Sequence, residues 1–161
     1  IIVSISEKLR KKMPKIPILI SPFFFGSKIT KDFLTLEEHE KQWDFILSQI
    51  KHSVDIMAFQ VGPLPYEDIA KYMKVTKKLA DRYKIELWAN VETFSGDMPG
   101  NKLFPPIDIR DLKYKLDASE PYSKKAVTFE FSHFMSPNSV HFSARNLFER
   151  YKEMIKESSK R

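Results

Sequence analysis

The chain has 161 residues, 27 of them Lys or Arg and 21 Asp or Glu, for a formal net charge of +6, with 42% hydrophobic and 13% aromatic residues. That much apolar material can build a core and excludes wholesale disorder. Cysteine is absent, which excludes disulfides, iron–sulfur clusters, thiolate zinc sites and cysteine nucleophiles, and no apolar run approaches the ~20 residues of a membrane span.

In chain order, Ile5, Leu9 and Met13 have helical spacing that stops at Pro14, so residues 1–14 read as the tail of a preceding helix. Four β-α units over 16–157 follow, within a single domain covering 1–161. The first strand is 16–21 (IPILIS). A helix over 35–52 comes next, with Thr35 and Glu38 as a capping box and Trp43, Ile46, Leu47 and Ile50 as its apolar stripe. The second strand is 55–60 (DIMAFQ), and the helix after it begins near Pro65 and carries Ile69, Met73, Leu79 and Ala80 on one side. Its lysines Lys71, Lys74, Lys77 and Lys78 stand near Asp81, the pattern of a solvated helix face rather than of a nucleic-acid stripe.

The third strand is 85–92 (IELWANVE). The connection over 93–106 holds Gly96 and Gly100, two of the four glycines in the chain, and its length suits a lid or binding loop. A helix over 108–118 with Asp108 as N-cap leads to the fourth strand, 125–132 (KAVTFEFS). The last helix starts near Ser143, buries Leu147, Phe148, Tyr151 and Ile155, and frays over 157–161.

Apolar strands alternating with helices every ~30 to 40 residues predict an α/β fold with a parallel sheet. A complete (β/α)8 barrel takes eight strands and ~250 residues. Four strands therefore suit either half of a TIM barrel or an open four-strand sheet with helices on both faces.

Ligand sites of parallel α/β folds gather where strands end, and here those ends carry Phe23, Gln60, Trp88, Asn90, Glu92, Phe94, Glu130 and His133. Alternation along the third strand sets Trp88, Asn90 and Glu92 on one face and Leu87, Ala89 and Val91 on the other. Polar groups in so apolar a strand need partners or a purpose. The same rule groups Thr128 with Glu130, opposite Val127, Phe129 and Phe131, so that two carboxylates stand at adjacent strand ends, the kind of pair glycoside hydrolysis uses. At least one of Phe23, Phe24 and Phe25 points away from the core. His133 and His141 lack the further ligands of a metal site, and no phosphate-binding glycine motif or dinucleotide fingerprint occurs. No metal and no cofactor is expected.

The runs Asp55-Ile56-Met57-Ala58-Phe59-Gln60, Leu87-Trp88-Ala89-Asn90-Val91-Glu92-Thr93-Phe94 and Thr128-Phe129-Glu130-Phe131-Ser132-His133-Phe134-Met135-Ser136-Pro137-Asn138 resemble a bacterial family of glycoside-hydrolase-like TIM-barrel domains, most without an assigned function. The resemblance spans about 16–151. It implies that the four strands are the fifth to eighth of the barrel, making the chain its C-terminal half. The other half would come from another chain, a second copy or a further segment. It implies Glu92 as nucleophile or stabilising carboxylate, Glu130 as a secondary carboxylate, and Gln60, Trp88 and Asn90 lining a sugar pocket, with Phe94, His133 and Phe23 also substrate-facing. The acid/base glutamate of such enzymes commonly ends the fourth strand, which this chain lacks, so the isolated chain is expected to lack that partner. Carbohydrate is the implied ligand, and an exported location is implied without being fixed by the residues. A non-catalytic carbohydrate-binding or protein-interaction α/β domain is the alternative.

Overall fold

The computed structural model describes residues 1–26, 34–95 and 104–158. Helix α1 (Ile2–Lys12) precedes strand β1 (Leu19–Ile20), followed by α2 (Leu36–Ile50), β2 (Ile56–Gln60), α3 (Tyr66–Tyr83), β3 (Glu86–Glu92) and α4 (Ile109–Ser119). A 3-10 turn (Glu120–Tyr122), β4 (Lys125–Phe129), the short α5 (Phe131–Phe134) and α6 (Phe142–Ser158) complete the order.

Local chemistry sets these boundaries. At the start of α2 the Thr35 hydroxyl accepts from the Glu38 N–H at 3.3 Å while the Glu38 carboxylate accepts from the Thr35 N–H at 2.8 Å, satisfying two of the first-turn donors. Helix α3 starts after Pro65 and ends where Lys84 turns left-handed at φ 57°. Asp108 caps α4 by accepting from the Arg110 N–H at 2.8 Å. The first strand is shorter than the sequence suggests because Pro17 has no N–H to give a ladder. The Ile18 N–H is taken by the Asp55 carboxylate at 2.7 Å, and that carboxylate also holds Arg10 of α1 at 2.9 and 3.0 Å. The fourth strand stops at Phe129, and the next residues fold into α5 instead of extending the ladder.

All four strands are parallel in the order β1-β2-β3-β4. Right-handed crossovers between strands added always on the same side put every connecting helix on one face. Helices on both faces require the strand order to reverse at a switch point, and this sheet has no reversal. The arrangement is that of half a (β/α)8 barrel, which sets aside the open sheet covered on both sides. The helix-facing side chains Met57, Phe59, Val61, Ala89 and Val91 are fully buried with Leu47, Ile69, Met73, Leu79 and Leu112, and their removal from water is the main favourable term holding the layers together.

Candidate functional site

Register determines what shares the opposite face of the sheet. Gln60 pairs with Asn90, Val127 with Asn90 on the other side, and Phe129 with Glu92. Trp88, Asn90 and Glu92 thus line one face together, as alternation predicts. On the fourth strand the neighbours of that face are Val127 and Phe129, while Thr128 stands beside Val91. This corrects the expectation that the Thr128 face is the Glu92 face, since alternation within one strand leaves its offset from the next open and the register fixes it. Glu130 follows the strand end, and its carboxylate meets the His133 Nδ1.

Glu92 is 4% exposed and Asn90 8%. One carboxylate oxygen of Glu92 accepts the Gly62 N–H and the other has no hydrogen-bond partner among the described residues. Burial pushes the Glu92 carboxyl above its ordinary range, opposed by its own backbone N–H, the Lys115 charge and the Gly62 N–H. Lys115, on α4, is itself buried and its ammonium lies 5.9 Å from the Tyr66 ring centre. Asn90 donates to the Ser21 hydroxyl at 2.9 Å, and its own oxygen has no partner among the described residues. Gln60 donates to the Ser21 carbonyl at 2.9 Å, and Phe23 bridges to Gln60 in parallel. Phe23 is 38% exposed while Phe24 is fully buried, the alternation expected of that run.

A second group gathers at the ends of β3 and β4. The Phe94 ring lies 4.8 Å from Phe134, 5.2 Å from Phe104 and 6.2 Å from Phe129, and His133 and His141 lie 6.0 and 5.7 Å from Phe134. Thr93 ties the two strand ends together, its N–H bonding the Phe129 carbonyl at 2.8 Å and its hydroxyl the Glu130 carbonyl at 3.0 Å. The feet of the 93–106 connection are joined, Ser95 N–H to Pro105 carbonyl at 2.8 Å and Ile107 N–H to Thr93 carbonyl at 3.0 Å; Gly96 and Gly100, part of the predicted binding loop, lie outside the described residues.

Trp88 sits apart from these groups. Two residues below Asn90, roughly 7 Å along the strand, its indole N–H is bound to Glu86 at 2.5 Å and Lys125 covers its ring at 5.0 Å. The structure therefore brings Glu92, Asn90, Gln60 and Phe23 together across β1 to β3, and Phe94, Glu130 and His133 across β3 and β4. Sequence reasoning did not single out Ser21, Gly62, Lys115, Phe129 or Phe134 as site residues. Gly62 had a legible signal, a rare glycine directly after a strand: a Cβ there would fall 2.6 Å from Glu92 Cδ. Lys115 had none, since a lysine within a helix reads as surface. Two surface concavities of about 560 and 530 Å³ lie along α4 and α6 and contain none of Glu92, Asn90 or Gln60.

Comparison with known proteins places this arrangement in a family. Residues 1–141 match the family described as Domain of unknown function (DUF4434), and the chain belongs to that family. Among solved structures it is similar to a crystal structure of a protein from Bacteroides thetaiotaomicron VPI-5482, provisionally named an alpha-L-fucosidase, at a TM-score of 0.89 and 37% sequence identity. The match covers 96% of this chain and 48% of that one, so the chain spans about half the length of the structure it matches. Nothing among curated proteins matches the chain.

Proposed function

We propose that this member of the DUF4434 family is the C-terminal half of a glycoside-hydrolase-like (β/α)8 domain that binds and acts on a carbohydrate, with Glu92 as its central carboxylate. The observation that carries the reading is the burial of Glu92 at the C-terminal end of β3 with one oxygen unpartnered among the described residues. An acceptor left without a donor in a buried site costs about 1–3 kcal/mol, a cost that folds retain where a ligand supplies the missing group. The likeness to the Bacteroides protein supports the same chemistry and makes a deoxy-sugar glycoside the first substrate to try.

In this reading the Glu92 carboxylate faces the positive charge that develops at the anomeric carbon as the glycosidic bond breaks. It either stabilises that charge or attacks the carbon, and in a site shielded from water the attraction is stronger than in solvent. Burial raises the pKa of the carboxyl. Its own backbone N–H, the Lys115 charge and the Gly62 N–H each act against this, in the direction of the ionised form the role requires. Asn90 and Gln60 bind sugar hydroxyls, Phe94 and Phe23 offer flat apolar faces to the C–H side of the ring, and Glu130 with His133 is a second proton-carrying group at the neighbouring strand end. The remaining strands of the barrel, from a preceding segment or another chain, supply the acid/base partner.

The test is turnover of aryl glycosides by the full-length protein and its Glu92→Gln variant. Loss of at least ~1,000-fold in kcat with an unchanged melting temperature supports the assignment. Wild-type turnover in the variant removes Glu92 from the chemistry, and sugar binding without turnover in either protein favours a carbohydrate-binding domain.

A further inference from the structure

Asn90 and Glu92 share a face of β3 two residues apart, and each is more than nine-tenths buried with one oxygen that has no donor among the described residues. The orientation of the Asn90 amide follows from its neighbours. Ser21 has one hydroxyl proton, and it goes to the Ala58 carbonyl at 2.8 Å. Toward Asn90 the hydroxyl can therefore only accept, which fixes the amide nitrogen on Ser21 at 2.9 Å and leaves the amide oxygen free. Glu92 is held in the same way: Gly62 anchors one carboxylate oxygen and the other is buried without a donor among the described residues. Two neighbours on one face of the strand are thus each tied down by one atom and each carry one buried acceptor without a donor.

The geometry points to a two-acceptor cradle, Asn90 Oδ1 with Glu92 Oε1, that takes a pair of hydrogen-bond donors from one neutral, hydroxyl-bearing sugar unit and rejects sugars that present a carboxylate or sulfate there. The inference rests on the carbohydrate reading above and adds the charge class of the bound unit. A hydroxyl pair supplies what both oxygens lack. An anionic substituent supplies only further acceptors, beside a carboxylate and out of water, where like charges repel most strongly. Register sets what flanks the two buried acceptors: Gln60, half-buried, lies beside Asn90 and Phe129, 50% exposed, beside Glu92, with Ser21 exposed at the far end of the network. A ligand edge arrives between them, its ring against Phe129.

Calorimetric titration of the full-length protein with methyl α-L-fucoside, methyl β-D-galactoside and methyl β-D-glucuronide tests this. At least one neutral glycoside is expected to bind about tenfold or more tighter than the glucuronide, and Asn90→Ala to weaken it by about tenfold, the effect of one hydrogen bond to a desolvated acceptor. The melting temperature of Asn90→Ala, measured beside its affinity, separates a lost contact from a simple folding defect. Neutral binding that survives Asn90→Ala, or glucuronide binding as tight as the neutral sugars, overturns the cradle and leaves the carbohydrate reading standing. Failure of all three glycosides to bind overturns both.

Discussion

His39 lies on α2 with its side chain fully buried, its ring 5.0 Å from Tyr72, 5.6 Å from Phe24 and 5.9 Å from Phe25. Its Nδ1 accepts the Phe25 N–H at 3.3 Å, which leaves Nε2 to carry the proton toward the Thr76 hydroxyl at 3.4 Å. Burial pulls its pKa down from 6.5 to about 4, so the ring is neutral at pH 7. The unfolded chain binds this proton near pH 6.5 and the folded one only near pH 4, so the neutral ring's contribution is fully present above about pH 6.5 and is lost as the pH falls toward 4. The gap of about 2.5 pH units, at about 1.4 kcal/mol each, gives a loss of ~3 kcal/mol across the window, of which ~2 kcal/mol has gone by pH 5. Urea unfolding of wild type and His39→Gln at pH 7.5, 5 and 4 isolates this group from the titrating carboxylates. Wild type is expected to lose ~2 kcal/mol more than the variant between pH 7.5 and 5. Parallel losses in the two proteins would refute the buried, neutral imidazole.

Two other perturbations test the site and the scaffold separately. In Gly62→Ala the new Cβ falls 2.6 Å from Glu92 Cδ and 3.1 Å from its Cβ, so the carboxylate must leave the Gly62 N–H. Turnover by the full-length protein should fall about a hundredfold, as a displacement on the order of 1 Å does, for a stability cost of about 1–3 kcal/mol; unchanged kcat would contradict the proposed anchoring. Thr35→Ala removes the capping box of α2 and should cost about 1 kcal/mol in denaturant unfolding while leaving turnover alone, and an activity loss there would show that α2 bears on the site.

Much of the scaffold was legible because its signals are local. Thr35 with Glu38, Pro65 and Asp108 mark helix starts by chemistry that does not depend on tertiary context, and the apolar runs of β2 and β3 read directly as covered strands. Alternation likewise placed Asn90 and Glu92 on one face. Relationships between strands were not legible. Register decides that Phe129, not Thr128, stands beside Glu92, and period-two alternation within one strand carries no information about its offset from the next. His39 belonged to the stripe of Trp43, Leu47 and Ile50 by spacing, yet a histidine among acidic neighbours reads as surface until Phe24, Phe25 and Tyr72 are seen to enclose it. Lys115 was invisible for the same reason: burial of a cation is decided by elements distant in sequence.

If Glu92 and Asn90 do the work proposed for them, sugar chemistry happens at the C-terminal end of β3. A crystal structure of the full-length protein with a bound glycoside tests it most directly. The account predicts a sugar ring seated over the ends of β2, β3 and β4, with its hydroxyls or anomeric carbon against Glu92 and Asn90. A sugar held elsewhere, with Glu92 still covered and both bare oxygens unchanged, would contradict it.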